Sequence, residues 1–335
     1  MRIKIAINGF GRIGRCLLRS ACNLKNNKLQ VVAINSSTDL DSCAYYAKYD
    51  SNYGLLGIPV LINKEQNTLT YGNNTTVVTN YTDPASVPWG DYGVDIVMEC
   101  TGKFNSYDKA SRHLLSGVQK VIISAPAENV EPVIVYGVNH MDIKSKHQVI
   151  SAASCTTNCL APVVKTINDV FGIISGHMTT IHSYTNDQSV LDANHKDLRR
   201  SRASALSMIP TSTGAAKNIG LVLPELSGKI DGAAIRVPTP TVSMIDFVFV
   251  VEKQCSVNRL NEVFVQAAER LNGVLSTTSD PLVSTDFIGS TFSAIVDLTS
   301  TKSIGSNMYR VVAWYDNEYA FATRMLDIAE FWMSS

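Results

Sequence analysis

The stretch that decides the fold is Ile3-Lys-Ile-Ala-Ile-Asn8-Gly9-Phe10-Gly11-Arg12-Ile13-Gly14-Arg15, followed by a helical pattern through Leu17, Leu18 and Ala21 to Leu24 and a second apolar run, Leu29–Asn35. A Gly-x-Gly-x-x-Gly motif alone is a weak signal. Strand, glycines, helix and strand inside about 35 residues is the context that makes it a dinucleotide-binding turn. The glycines let the backbone turn tightly and come close to a pyrophosphate, which the helix N-terminus then holds through its unpaired N–H groups. Residues Asn8, Gly9, Phe10, Gly11, Arg12, Ile13 and Gly14 are therefore the first cofactor-binding candidates.

The second strand of such a unit ordinarily ends in an acid, roughly 20 residues past the glycines, that bonds the adenosine ribose 2′-hydroxyl. Here the chain reads Asn35-Ser36-Ser37-Thr38, and Ser36 stands where the acid is expected. Without a carboxylate nothing repels a 2′-phosphate, and without an Arg or Lys between Ser36 and Ala47 nothing attracts one. Asp39 or Asp41 could substitute if the loop folds back. The expected cofactor is NAD or NADP, with no preference fixed.

Outward from this unit, Leu55–Leu61, Asn67–Tyr71 and Thr76–Thr79 read as antiparallel additions to a sheet turning at Asn73-Asn74, while Val94–Gly102, Lys120–Pro126 and Pro132–Gly137 read as its further strands. Open sheets hold ligands at strand C-termini, so Thr101, Gly102 and Ser124 join the candidate cofactor residues. The fold class is α/β: a doubly wound Rossmann domain plus an α+β catalytic domain with an antiparallel sheet. The expected division is residues 1–154, completed by a C-terminal helix at 317–335, and residues 155–316.

At 335 residues, 45% hydrophobic and 17% charged, the chain suits two packed domains rather than a disordered polymer. Lys plus Arg and Asp plus Glu balance at 29 each, and the longest basic cluster is Arg199-Arg200 with Arg202, which is no footprint for a nucleic acid or a membrane surface. The seven cysteines are odd in number and lack metal-ligand spacing, so no metal is expected and a reducing compartment is. No apolar run approaches a membrane span, and Ile3 opens a strand with no apolar leader before it. The expected location is cytoplasmic.

The chemistry centres on Ser151-Ala-Ala-Ser154-Cys155-Thr156-Thr-Asn-Cys159. Small residues end a strand, Ser154 suits an N-cap, and an apolar-periodic helix follows to Phe171-Gly172. A cysteine in the first turn of a helix meets unpaired amides and the positive end of the dipole, which lowers its titration below that of a free thiol. Cys159, one turn deeper, reads as packing and as a partner for a damaged Cys155 under oxidants. In the later run Gly176–Gln188, His177 and His182 lie on opposite faces of a strand. His182, where polar residues begin, is the base expected to take the Cys155 proton, and His177 a satisfied structural histidine. Asp192–Arg202 is a long polar loop; Thr213-Gly214 then opens an apolar helix as a second anion site. Arg236 sits in an apolar strand, where a guanidinium requires a ligand anion or a buried carboxylate. Thr241–Val251 and Ser293–Leu298 suggest an antiparallel sheet with helices on one side, and Asn317–Trp332 a final helix returning to the first domain.

Six motifs in order, Asn8–Arg15, Ala153–Cys159, His182-Ser-Tyr-Thr185, Ser212–Lys217, Arg236–Pro240 and Trp314–Tyr319, resemble the phosphorylating glyceraldehyde-3-phosphate dehydrogenase family over essentially the whole chain. The resemblance implies that Cys155 is the nucleophile and His182 its base. It assigns Ser154, Thr156, Thr213 and Gly214 to inorganic phosphate, Thr185 and Arg236 to the phosphate of glyceraldehyde 3-phosphate, and Asn317 to the nicotinamide carboxamide. It also implies a homotetramer in which the loop from about Thr185 to Arg202 borders a neighbour's cofactor site. Three departures accompany it: Ser36 in place of the acid, Asp187 where many members carry Thr, and Ala193-Asn194 where strictly NAD-using members tend to carry Pro in second place. The Asn-Asp-Gln form resembles the photosynthetic, NADP-using branch and also the erythrose-4-phosphate dehydrogenase branch, though the latter tends to lose the Ser-Thr-Gly-Ala-Ala-Lys segment kept here. A reading from another class, a non-catalytic binding paralogue, conflicts with retention of both Cys155 and His182.

Overall fold

The computed structural model describes residues 2–23 and 28–334. Its chain divides into two compact units: Met1–Tyr136 with His140–Ser154 and Phe321–Ser335, and Gly137–Asn139 with Cys155–Ala320.

The first unit is built on β1 (Ile3–Asn8), whose Ile5, Ala6 and Ile7 are completely buried. Around it lie β2 (Leu29–Asn35), β3 (Val60–Asn63), β4 (Thr68–Tyr71), β5 (Asn74–Thr79), β6 (Ile96–Glu99), β7 (Lys120–Ile123) and β8 (Val149–Ser151). The spatial order is β8-β7-β6-β1-β2-β5-β4-β3. From β8 to β5 every pairing is parallel; β4 and β3 attach antiparallel. Near-continuous apolar runs in β6 and β7 fit strands covered on both faces. The chain leaves β1 to one side for β2 and returns on the other side for β6, so the strand order reverses at the ends of β1 and β6.

Several sequence expectations change here. The segment from Leu55 to Leu61 is not one strand: Gly54–Leu55 pairs with Tyr49–Asp50, and β3 begins at Val60. β5 is antiparallel to β4 yet parallel to β2, because its far edge completes the doubly wound core. Pro132–Gly137 forms no strand; Val133 makes only an isolated bridge to Ser151, since proline removes a ladder donor at its start. Helix α1 (Arg12–Asn23) begins right after Gly11 and takes in Gly14, and the expected end at Leu24 lies outside the described residues. The last helix, which runs Tyr319–Ser334, returns to this unit: the Thr323 hydroxyl meets Ser20 of α1 at 2.9 Å.

The second unit starts at the helix Cys155–Phe171, numbered α3 after α2 (Leu40–Lys48). Its sheet comprises β9 (Ile173–Ser183), β10 (Ile209–Ser212), β11 (Ile230–Val237), β12 (Ser243–Val251), β13 (Leu275–Thr278), β14 (Ala294–Ile304) and β15 (Met308–Tyr315), in the order β10-β11-β9-β12-β15-β14-β13. It is mostly antiparallel rather than wholly so: β9 pairs parallel with β11 and β13 with β14. In β12 burial alternates residue by residue, with Ile245, Phe247, Phe249 and Val251 inward. The covering layer is α3 with α4 (Val257–Arg270). The apolar helix expected after Gly214 is a single turn, Ile219–Val222.

Candidate active site

The nucleophile candidate is delivered by a strained turn. β8 ends at Ser151, Ala153 takes a left-handed φ of 60°, and α3 begins two residues later at Cys155. A side chain in that region costs of order 1 kcal/mol and persists only where its surroundings enforce it, here in part through the Ala153 N–H donating to Ser151 Oγ at 3.1 Å. Cys155 is partly exposed, and Cys159 below it is completely buried.

Cys155 Sγ lies 3.5 Å from His182 Nε2, although 27 residues separate them. Sheet register produces the rest of the cluster. His182 of β9 is the direct cross-strand partner of Arg236 of β11, so the two side chains share a face. The Ser183 carbonyl oxygen accepts from Arg236 Nη1 at 2.9 Å and from His182 Nδ1 at 2.7 Å. In the neutral tautomer that donates from Nδ1 to that carbonyl, Nε2 is unprotonated and turned to the sulfur; Arg236 Nη1, a donor 2.7 Å from the same Nδ1, favours the opposite tautomer. Burial, and then the Arg236 charge 2.7 Å from Nδ1, hold the imidazole down to about 3. His177, by contrast, is exposed, which corrects its reading as a satisfied structural histidine.

The thiol also departs from expectation. Burial pushes Cys155 up from the usual thiol value, while Arg236 and the Thr156 hydroxyl and amide pull it back without cancelling the loss of water. A helix N-terminus alone does not make this sulfur anionic; a base must take its proton. Beneath it, the Tyr315 hydroxyl stands 2.9 Å from both Thr156 Oγ1 and Thr180 Oγ1, pinning the first turn of α3 to the sheet. Sequence reasoning gave Tyr315 no role, since only the fold brings it under Cys155.

Among the expected anion ligands, Arg236 is aimed at the His182 pair, but Thr156 turns its hydroxyl to Tyr315 and Thr213 Oγ1 accepts from the Ala215 N–H at 3.1 Å. A Cβ at Gly214 would meet only the Asn218 amide nitrogen, at 3.9 Å, and the Thr185 carbonyl caps a turn to Gln188. Asp187 grips Arg200 at 2.6 Å and meets His195 at 3.4 Å, so its carboxylate is a tie within the loop. Arg200 is a residue the sequence left unassigned. Its charge acts on both His182 and Arg236, so two guanidinium groups bias the same face toward anions. Asn317 is buried, and its carbonyl oxygen sits 3.0 Å from the Ser183 and Ser243 hydroxyls, leaving its amide nitrogen as the end that can donate to a ligand.

In the first unit, the glycine turn fits a dinucleotide. Gly9 has φ 98°, and a Cβ there would lie 2.8 Å from the Thr101 nitrogen; one at Gly14 would drive into the Gly9 carbonyl oxygen. A Cβ at Gly11 would meet nothing within 4 Å. Two glycines are thus required by packing, while the middle one leaves open the approach a pyrophosphate needs at the start of α1. Some side chains of the motif are occupied elsewhere. Arg12 forms a two-point pair with Asp50 at 2.6 and 3.2 Å, and Asn8 bonds at both ends of its amide within the sheet. Their backbones, not these side chains, remain the candidate contacts. The Thr101 hydroxyl faces Glu99. Gly102 has φ 70° with open space beside it, and Ser124 is held by its backbone N–H on the Glu99 carbonyl.

Ser36 is buried, and its hydroxyl accepts from the Thr38 N–H at 3.1 Å. Neither proposed substitute acid reaches back: Asp39 caps α2 through the Ser42 N–H at 2.8 Å, and Asp41 pairs with Lys64 at 2.9 Å. Among the described residues, no three His, Cys, Asp or Glu side chains converge as a metal site, and no helix is long and apolar enough to cross a membrane.

A doubly wound parallel sheet with a glycine turn in one unit, and a thiol against a neutral imidazole in the other, define a class: cysteine-dependent proteins built on a dinucleotide fold. Comparison with known proteins narrows it. The profile described as glyceraldehyde 3-phosphate dehydrogenase, NAD binding domain, matches residues 3–107, and that of the C-terminal domain matches residues 154–317. The glyceraldehyde-3-phosphate dehydrogenase of Geobacillus stearothermophilus is 50% identical over 333 residues, 99% of this chain and 98% of that protein. Glyceraldehyde-3-phosphate dehydrogenase 1 of Bacillus cereus is 49% identical with the same coverage, and the Xanthobacter flavus enzyme is 49% identical over 98% of each chain. The chain belongs to the glyceraldehyde 3-phosphate dehydrogenase family.

Proposed function

We propose that this chain oxidises glyceraldehyde 3-phosphate to 1,3-bisphosphoglycerate, using NAD and inorganic phosphate, with Cys155 as nucleophile and His182 as general base. The observation that carries the roles is the 3.5 Å contact of Cys155 Sγ with His182 Nε2 in a chain alike end to end to this family. The neutral imidazole takes the thiol proton as sulfur bonds to the aldehyde carbon, giving a hemithioacetal. The backbone N–H of Cys155, at the open end of α3, donates to the oxygen that gains charge. The His182 imidazolium returns that proton to the oxygen, completing the hemithioacetal, and the neutral ring then draws it off again as hydride leaves the carbon and the thioester forms; NAD, when bound, would supply the acceptor for that hydride. A phosphate oxygen then attacks the thioester carbon, the C–S bond breaks, and the sulfur leaves as thiolate. The Arg236 and Arg200 charges draw the substrate's phosphate to this face, and Ser154, Thr156, Thr213 and Gly214 serve the attacking phosphate. The buried Asn317 amide holds the nicotinamide carboxamide.

The backbone of Asn8 through Gly14, together with Ser36, Thr101, Gly102 and Ser124, receives the rest of the cofactor. NADP is tolerated beside NAD, since Ser36 presents no carboxylate and Asp39 and Asp41 are engaged elsewhere. The protein works in the cytoplasm as a homotetramer, to which the loop from about Thr185 to Arg202 contributes contact surface: Leu198 is 81% exposed in the single chain. Initial rates with each cofactor, with glyceraldehyde 3-phosphate or erythrose 4-phosphate, and with phosphate present or absent test the reading. A rate independent of phosphate, or one that favours erythrose 4-phosphate, would overturn it.

A further inference from the structure

Beneath the glycine turn, at the C-terminal ends of the parallel strands, lies a chain of polar side chains whose hub the proposed chemistry does not use. Its hub is Glu99, the last residue of β6 and completely buried. Four donors converge on its two oxygens. The Thr101 N–H and hydroxyl reach Oε1 at 2.7 and 2.5 Å, and Asn8 Nδ2 and His113 Nε2 reach Oε2 at 2.5 and 3.1 Å. Trp89 Nε1 donates to His113 Nδ1 at 3.0 Å, which places the imidazole proton on Nε2, facing the carboxylate. On the other side the chain continues: Asn35 Nδ2 donates to Asn8 Oδ1 at 2.7 Å, and the Thr79 hydroxyl and Tyr81 N–H donate to Asn35 Oδ1 at 3.0 and 2.8 Å.

Register explains why these residues meet. Glu99, Asn8, Asn35 and Thr79 are successive cross-strand partners on β6, β1, β2 and β5. The network therefore spans the point where the strand order reverses, which is where open sheets of this kind bind nucleotides. It also grips both walls of the glycine turn. Asn8 directly precedes Gly9, and Thr101 is the residue against which Gly9 is packed so tightly that no Cβ fits.

We infer that Glu99 is a positioning residue for the dinucleotide: by accepting from Asn8 and Thr101 at once, its buried carboxylate clamps the two strand ends that hold the pyrophosphate-binding turn open. The inference rests on the reading that this unit binds NAD. Every group around the carboxylate is a donor, so a Gln here would turn an amide N–H toward another donor and leave buried groups unmatched. The clamp would loosen without altering the volume of the side chain.

The test is calorimetric titration of the full chain with NAD and separately with ADP-ribose, which lacks the nicotinamide. Glu99→Gln is expected to raise both dissociation constants at least tenfold, by similar factors, while the alkylation rate of Cys155 by iodoacetamide and kcat at saturating NAD stay within twofold of the parent. If Glu99→Gln does not fold, Thr101→Val, which deletes the hydroxyl donor, is expected to raise both constants at least threefold and Thr101→Ser to restore them. A folded Glu99→Gln chain that binds both ligands within twofold of the parent overturns the inference alone; so does Thr101→Val binding as the parent does. A change in thermal midpoint with no change in either constant means a merely structural role, and overturns it as well. A parent chain that fails to bind NAD overturns the cofactor reading, and this inference with it.

Discussion

The glycine turn and the thiol site are organised in opposite ways. The turn is contiguous: residues 8 to 14 form it, with Gly14 packed on the Gly9 carbonyl inside the turn, Gly9 packed on the backbone of Thr101, and Gly11 left open. The thiol site is dispersed: Cys155 and His182 are 27 residues apart, and His182 and Arg236 are 54 apart, joined by the register of two parallel strands. The cradle lies in one short stretch of sequence, although its packing borrows the backbone of Thr101. A reactive pair needs burial and a neighbouring charge, which no local sequence supplies.

The largest effect expected on this contrast is at His182. Replacing it with Asn removes the base while keeping a polar side chain, and kcat is expected to fall by about 10²–10⁴ with NAD binding unchanged. Its loss should also move the pH dependence of Cys155 alkylation upward, because burial already opposes the thiolate. An alkylation profile identical to the parent's would mean that the imidazole does not take the thiol proton.

The glycines separate packing from binding. Gly14→Ala puts a methyl group into the Gly9 carbonyl and should destabilise the fold by about 1–3 kcal/mol, read as a lowered urea midpoint. Gly11→Ala meets open space, so its urea midpoint should match the parent's while NAD binding weakens several-fold. Equal loss of stability in both variants would refute the distinction.

A smaller change is expected at Ser36. Ser36→Asp restores a carboxylate at the end of β2 and should lower kcat/KM for NADP by about tenfold through charge repulsion, with little change for NAD. Unchanged NADP kinetics would mean the 2′-phosphate is not read there.

A last effect concerns stability against pH. His182 titrates at about 3 in the fold against an ordinary 6.5, so as pH falls the unfolded chain takes up the proton first. The contribution of the neutral buried imidazole is complete above 6.5 and is lost as pH drops toward 3. The thermal midpoint of the parent should therefore fall more steeply between pH 7 and 5 than that of His182→Asn. Parallel slopes would remove His182 from the acid response.

Periodicity placed β1 and β2 with the bounds the structure has, because a buried parallel strand flanked by glycines or polar turns carries its own punctuation. It misjudged Pro132–Gly137, where an apolar run satisfies the eye but a proline and a single bridge leave no ladder. The pairing of β9 with β11 as parallel neighbours was also out of reach, since β10 and the long loop intervene and strand order is not a local property.

The amino-acid order by itself determined the dinucleotide turn, the small-residue approach to Cys155 and the choice of His182 over His177, because each follows from spacing within one element. Only the tertiary structure decided the meeting of Cys155 with His182 and Arg236, the engagement of Asp39, Asp41 and Asp187 with partners of their own, and the polar network around Glu99. Those depend on desolvation and on charges and donors brought from distant positions, and the free energy of such a group is set by its surroundings rather than by its neighbours in the chain.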